Sequence, residues 1–154
     1  MNLSLALDDE KYMKIALTQA EKAYREGEVP VGAVLVKNGA ILAQQFNRRE
    51  ALYDATAHAE ILALREAGER LGGWRLSNTT LYVTLEPCPM CAGALVLARV
   101  ERLVFGTFDP KGGGAGSLYD IPRDTRLNHR LDVTTGVLEN ECAALLKDFF
   151  RNRR

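Results

Sequence analysis

His58-Ala59-Glu60 and, 27 residues beyond Glu60, Pro87-Cys88-Pro89-Met90-Cys91 constrain this chain more than any other feature. Together the two segments offer one imidazole, two thiolates and a spare carboxylate. Zinc takes nitrogen and sulfur ligands tetrahedrally, and a catalytic zinc keeps three protein ligands with the fourth position open. His58, Cys88 and Cys91 supply the three. Glu60 is close enough to handle a water's proton without occupying the metal. Any fold must therefore bring residues 58–60 and 87–91 together. Cys88 and Cys91 are one helical turn apart, so both can face one ion. Pro87 suits a first helical turn, where a missing N–H costs nothing. Helix amino termini favour anionic ligands and lower thiolate pKa, so both segments are expected at or just inside helix starts, beside strand ends.

The parts taken singly are ambiguous. A Cys-x-x-Cys pair alone also fits a redox pair or half of a structural zinc knot. A structural site normally has four protein ligands, and this chain has only two histidines and three cysteines. Those left over are His129 and Cys142. Cys142 sits in the apolar helical stretch Glu141–Leu146, where a thiol behaves as a small core hydrophobe. His129 lies in a polar loop, Asn128-His129-Arg130, and reads as a surface or substrate-facing group. A structural knot would also have no use for Glu60. The pattern reads as one catalytic zinc per chain.

Helical and strand periods alternate without a linker or repeat. Met13, Ala16, Leu17, Ala20, Ala23 and Tyr24 mark a helix that Asp8 or Asp9 caps and Gly27 ends. Val31–Val36 reads as a buried strand, and Asn38-Gly39 as a hairpin turn into Ile41–Phe46. A polar loop at 47–56 precedes a helix from about Ala57 to Leu71, stopped by Gly72-Gly73. Thr80–Thr84 is a third strand, and a helix opens at Pro87. Strands near 101–107 and 131–137 and a helix over about 138–152 complete the chain. The expected fold is α/β with three layers, a central mixed five-stranded sheet between helices, in one zinc-binding domain over 1–154. Ligands in such sheets bind at strand ends. The run Lys111-Gly112-Gly113-Gly114-Ala115-Gly116-Ser117 lacks the Gly-Lys-Ser/Thr order of a phosphate loop; it reads as a flexible loop facing a site or substrate, with a plain surface turn as the alternative.

A chain of 154 residues can bury roughly 68–70% of its unfolded surface. Twenty basic and twenty acidic side chains cancel, so any contact with nucleic acid must come from local clusters. The densest is Lys147, Arg151, Arg153 and Arg154, which equally fits a solvated helix end. No apolar run approaches the ~20 residues that span a bilayer, and no signal peptide is evident. With two of three cysteines assigned to metal, a reducing cytoplasm is the expected compartment.

The order H-x-E…P-C-x-x-C is the signature of zinc-dependent base deaminases. The whole chain resembles the bacterial tRNA-specific adenosine deaminases within that superfamily. The resemblance rests on Glu28–Val36, Thr56–Ile61, Tyr82–Cys88, Met90–Ala94, Val104-Phe105-Gly106, Ala115–Leu118, Asn128-His129-Arg130, Cys142–Leu146 and Asp148–Arg151. The zinc motif alone is shared with cytidine, deoxycytidylate, guanine and pterin-type deaminases; the later segments point to the tRNA enzymes. Asp54-Ala55-Thr56 departs from the family's usual Asp-Pro-Thr, and Phe108 and Pro110 are unusual beside Asp109 in the RNA-facing loop.

The resemblance implies hydrolytic deamination of adenosine to inosine at a tRNA wobble position, an arginine tRNA being the usual substrate, with Glu60 carrying the proton. It also implies a homodimer, and that Asn47 and the Ala59 backbone N–H hold the flipped nucleotide. Asp109, Lys111, Phe149 and Arg151 are the further expected RNA contacts. Two alternatives stay open: a deaminase of a free base, nucleoside or nucleotide, and a zinc-stabilised RNA-binding module without turnover.

Overall fold

The computed structural model describes residues 3–153. The elements are α1 (Leu3–Arg25), β1 (Gly32–Lys37), β2 (Ala40–Phe46), α2 (Ala59–Leu71), β3 (Thr79–Leu85), α3 (Pro89–Leu97), β4 (Arg102–Thr107), β5 (Asp132–Thr135) and α4 (Glu139–Asn152). The strands form one sheet in the order β2-β1-β3-β4-β5. β1 runs antiparallel to both β2 and β3, whereas β3, β4 and β5 are mutually parallel. The expected mixed five-stranded sheet is therefore present.

Residues along a strand alternate between faces, and here both faces are covered. Ala33, Leu35, Leu81, Val83, Leu103 and Phe105 pack with Ala59, Ala63 and Ala67 of α2 and Leu95 and Val96 of α3. Val34, Val36, Tyr82 and Val104 pack on the other side with Tyr12, Met13 and Ala16 of α1 and Cys142 of α4. Double burial explains why these strands read as unbroken apolar runs rather than as alternations. Each large apolar side chain so buried contributes roughly 1.5–3 kcal/mol. The β1–β2 turn has positive φ at both central residues, Asn38 (51°) and Gly39 (76°), as a type I′ hairpin requires.

Two expectations at helix starts are corrected. α3 starts at Pro89, not Pro87, and Cys88 is its N-cap; proline still occupies the first turn. α1 begins at Leu3, so neither Asp8 nor Asp9 caps it. Asp9 is instead buried within the helix, 3% exposed. Its carboxylate accepts two hydrogen bonds from Arg102, at 2.8 and 2.7 Å, and one from the Tyr82 hydroxyl at 3.0 Å. Arg102 also donates to Thr134 Oγ1, so this cluster ties α1 to β3, β4 and β5. Burial, and next the Asp9 charge, push the Tyr82 phenol above its ordinary value.

Removing one partner of a buried ion pair strands the other charge, at a cost of about 3–5 kcal/mol. Asp9→Ala is expected to lower the unfolding free energy by about 3 kcal/mol in urea titrations, since Arg102 keeps some solvent access. Replacing both partners by leucine and methionine should restore most of the loss. Urea midpoints for Asp9→Ala equal to those of the parent would contradict this account.

Candidate metal centre

β3 and β4 run parallel and end side by side, where Glu86 N–H donates to Thr107 O at 2.8 Å. Beyond β3, the chain turns through Pro87 and Cys88 into α3. Beyond β2, residues 47–58 return it to the start of α2. His58 and Cys88 are the N-caps of α2 and α3, both with extended backbone (φ −76°, ψ 151°; φ −70°, ψ 171°). An N-cap side chain normally accepts from the first turn of its own helix. Neither does so here, which leaves both free to converge.

His58 Nδ1 lies 3.6 Å from Cys88 Sγ and 3.5 Å from Cys91 Sγ. All three ligand atoms fall within 4.8 Å of one another. Zn–S and Zn–N bonds of ~2.3 and ~2.0–2.1 Å at a tetrahedral angle put nitrogen and sulfur about 3.6 Å apart. The spacing and the donor set both fit zinc. Three protein ligands leave one position for another group.

The surroundings favour a thiolate at Cys88. A hydrogen bond from Cys91 outweighs burial and, with His58, lowers the Cys88 thiol to about 4. Cys91 moves the opposite way, raised by its bond to Cys88 and by burial. His58 is raised by its contact with Cys88, against burial. Cys88 is thus the more acidic of two thiols that a zinc ion would bind as thiolates beside a neutral His58 imidazole. Glu60, in the first turn of α2, is 4% exposed. Burial raises its carboxyl to about 7, a value suited to moving protons near neutral pH.

His58, Glu60 and Cys88 share a cleft of about 200 Å³ with Asn47, Arg49 and Asp109. A second hollow of about 450 Å³ adjoins it through Val29, Leu85 and Asp109, and adds Phe108, Lys111 and Phe150. A larger groove, about 590 Å³, lies between α2 and α3 around Trp74 and Leu97 and holds none of the metal ligands. The chemistry therefore belongs to the smaller cleft.

Most of the RNA-facing expectations gather around this cleft, and some are revised. Asp109 lines both this cleft and the adjoining hollow, and Lys111 lines the hollow. Asn47 lines the cleft too, but Asn47 Oδ1 accepts the Ala59 N–H at 2.8 Å and its amide donates to Val29 O. The bond between these two groups, both expected to hold a nucleotide, fixes the entry to α2. Phe149 is 4% exposed, its ring edge-on to Tyr24, so it is a packing residue. Phe150, 54% exposed, offers the open face instead. Arg151 flanks a neighbouring hollow with Lys147 and Phe150. Arg153 donates to Gly27 O at 2.7 Å and stacks over Phe149, so it closes α4 onto the end of α1. Arg154 lies outside the described residues. His129 is tied to Val100 O at 2.7 Å and takes no part in the site.

Two buried carboxylates were missed. Glu28 accepts from Glu50 N–H and Ala51 N–H, at 3.1 and 2.9 Å. Glu86 accepts from Asp109, Ala115 and Ser117 N–H and from the Ser117 hydroxyl. Burial works against the Glu86 charge, but these bonds outweigh it and hold the carboxyl below its ordinary value. The glycine-rich run is consequently not a slack loop. Its residues are bonded to Asp109 O, Pro87 O and Tyr119 O as well. The one available signal was an acidic residue directly after an apolar strand.

Residues 7–107 match the model of the cytidine and deoxycytidylate deaminase zinc-binding region. Over 146 residues, the chain is 57% identical to the tRNA-specific adenosine deaminase of Bacillus subtilis, covering 95% of this chain and 91% of the relative. A solved structure from a study of A-to-I editing by tRNA:A34 deaminases at the wobble position of transfer RNA superposes with a TM-score of 0.86. That chain is 46% identical, and the overlap covers 88% of this chain and 99% of the other. A guanine deaminase from Nitrosomonas europaea superposes with a TM-score of 0.79 at 26% identity, over 91% of this chain and 83% of the other.

Proposed function

Because the chain belongs to the cytidine and deoxycytidylate deaminase family, we propose that it is a zinc-dependent enzyme converting adenosine to inosine in tRNA. The target is the wobble base of an anticodon, in an arginine tRNA, and one domain over 1–154 does the work in the cytoplasm. The observation that carries this reading is the cluster of His58, Cys88 and Cys91 opening on the same cleft as the buried Glu60.

His58, Cys88 and Cys91 would hold a zinc ion, which would supply the Lewis acidity that lowers the pKa of water towards roughly 7. Glu60 accepts a proton from the attacking water and passes it to adenine N1. The water oxygen bonds to C6; Glu60 then takes the second proton from the resulting C6 hydroxyl and delivers it to the amino group, so that the C6–N bond breaks, ammonia departs and the C6 carbonyl of inosine remains. With Glu60 held near 7, neither transfer is steeply uphill at neutral pH. Asn47 fixes the start of α2, and hence where Glu60 points. Arg49, Lys111 and Arg151 supply positive charge around the cleft of a chain with no net charge. A wobble base in a single-stranded loop can be splayed into such a cleft.

The guanine deaminase likeness gives substance to a free-base reading. Incubating the purified protein with bacterial tRNA, free adenosine and free guanine separates the two. Inosine at position 34 of tRNA alone supports the proposal; turnover of a free substrate alone rejects it.

The enzyme acts as a homodimer. α3 is apolar nearly all round, and a helix without a polar face has to be covered on every side. Sheet packing covers Leu95 and Val96, but Leu97 is 71% exposed and neighbouring Trp74 63%. A second copy across this groove covers them. Light scattering should give twice the 17.0 kDa chain mass, and Leu97→Glu should halve it by placing a charge in the interface. A parent protein of single-chain mass at micromolar concentration would reject the dimer.

A further inference from the structure

We propose that Glu86 is a positioning residue of this site: its carboxylate clamps the Asp109–Ser117 loop onto the segment that carries Cys88, and so sets where Asp109 and Lys111 meet the substrate. The proposal rests on the tRNA reading above and assigns a role to a side chain that the mechanism does not use.

Glu86 is 2% exposed. Among the described residues no lysine or arginine forms an ion pair with it. Among the described residues, its charge is met by donors of one loop. Asp109 N–H and the Ser117 hydroxyl reach Oε1 at 2.9 and 2.5 Å, and Ala115 and Ser117 N–H reach Oε2 at 3.0 and 2.9 Å. Charge-assisted bonds of this kind are about twice as strong as neutral ones. Opening the loop would leave a buried anion without partners, so the clamp keeps it closed.

Space tells the same story. A Cβ at Gly113 would run into the Glu86 carboxylate, and one at Gly114 would come within 2.8 Å of Pro89 N. The chain needs glycine there to lie this close to the carboxylate and to the start of α3. Gly114 N–H donates to Pro87 O at 2.7 Å, one residue from Cys88. On its other side the loop presents Asp109 to both parts of the cleft and Lys111 to one. Asp109 Oδ1 also accepts from Lys111 and Gly112 N–H, which shapes the turn between them. A single carboxylate therefore connects the wall that meets the substrate to the segment that holds the metal.

Two variants break the clamp from opposite sides. Glu86→Gln keeps size but turns an amide N–H₂ towards donors; Gly113→Ala pushes the loop off without touching β3. KM and kcat are measured on an anticodon stem-loop RNA, with zinc content and melting temperature recorded in parallel. Each variant is expected to keep about one zinc per chain. Each should raise KM by about tenfold or more, with kcat within about threefold of the parent. The double variant should be little worse than the poorer single one, because both act on one contact. Should Glu86→Gln fail to fold, Gly113→Ala alone decides the matter. A lowered melting temperature with parental KM in the folded variants would make Glu86 merely structural and overturn the proposal. A parent protein that forms no inosine in RNA would instead overturn the tRNA reading.

Discussion

Glu60→Ala is expected to lower the single-turnover rate of inosine formation by about 10²–10⁴-fold, the range that positioned proton transfer contributes, with zinc content and RNA affinity near those of the parent. Glu60 is not a metal ligand; His58, Cys88 and Cys91 converge without it. Its carboxyl lies in the first turn of α2 on the wall of the same cleft. Burial holds it near 7, where one group can both take and return a proton. Removing it removes only that relay. Glu60→Gln is the sharper test because it preserves volume and rules out a cavity effect. Single-turnover rates near the parental value in either variant would mean that another group moves the proton, and the other carboxylates lining the cleft are those of Glu86 and Asp109.

The metal trio was legible because its ligands lie in two short segments, with spacings that few other chemistries need. The strands were legible for a different reason. A sheet covered on both faces demands residues such as Val34-Leu35 and Tyr82-Val83, apolar at every step. The turn was legible because positive φ at Asn38 and Gly39 selects those residue types.

What could not be read depended on partners far along the chain or on partners without a residue signature. Asp9 looked like a helix cap, since acids gather at helix starts; only Arg102, 93 positions away, makes it a core residue. Phe149 and Phe150 are adjacent on α4 and point to different sides. Which one turns inward depends on Tyr24 of α1, and no local pattern reveals it. Glu28 and Glu86 are bound mostly by backbone N–H groups, which every residue except proline carries. Such donors leave no trace in residue type. For the same reason the Asn47–Ala59 bond was invisible.

Cys88→Ser and Cys91→Ser should each lose the metal and with it all turnover above background, whereas Cys142→Ser should keep both. The three cysteines are chemically alike but differ in what surrounds them. Cys88 and Cys91 each place Sγ within 3.6 Å of His58 Nδ1, and a serine hydroxyl there stays protonated where the thiolate would bind zinc. Losing one of only three ligands leaves two, too few for a catalytic zinc, which takes three from the protein. Because a bound metal stabilises the folded form by mass action, both variants should also melt earlier than the zinc-loaded parent. Cys142 is 1% exposed beneath β4, where a Cβ on Gly106 would meet its sulfur, and burial raises its thiol to about 12. It is a neutral packing group. Serine there places a hydroxyl in an apolar contact and costs about 1–3 kcal/mol of stability, but touches no ligand. Elemental analysis beside an inosine assay distinguishes the three: about one zinc per active chain in Cys142→Ser and almost none in the other two. Full zinc with normal turnover in Cys88→Ser would sink the ligand assignment, and loss of zinc in Cys142→Ser would mean that the core beneath β4 holds the metal site in shape.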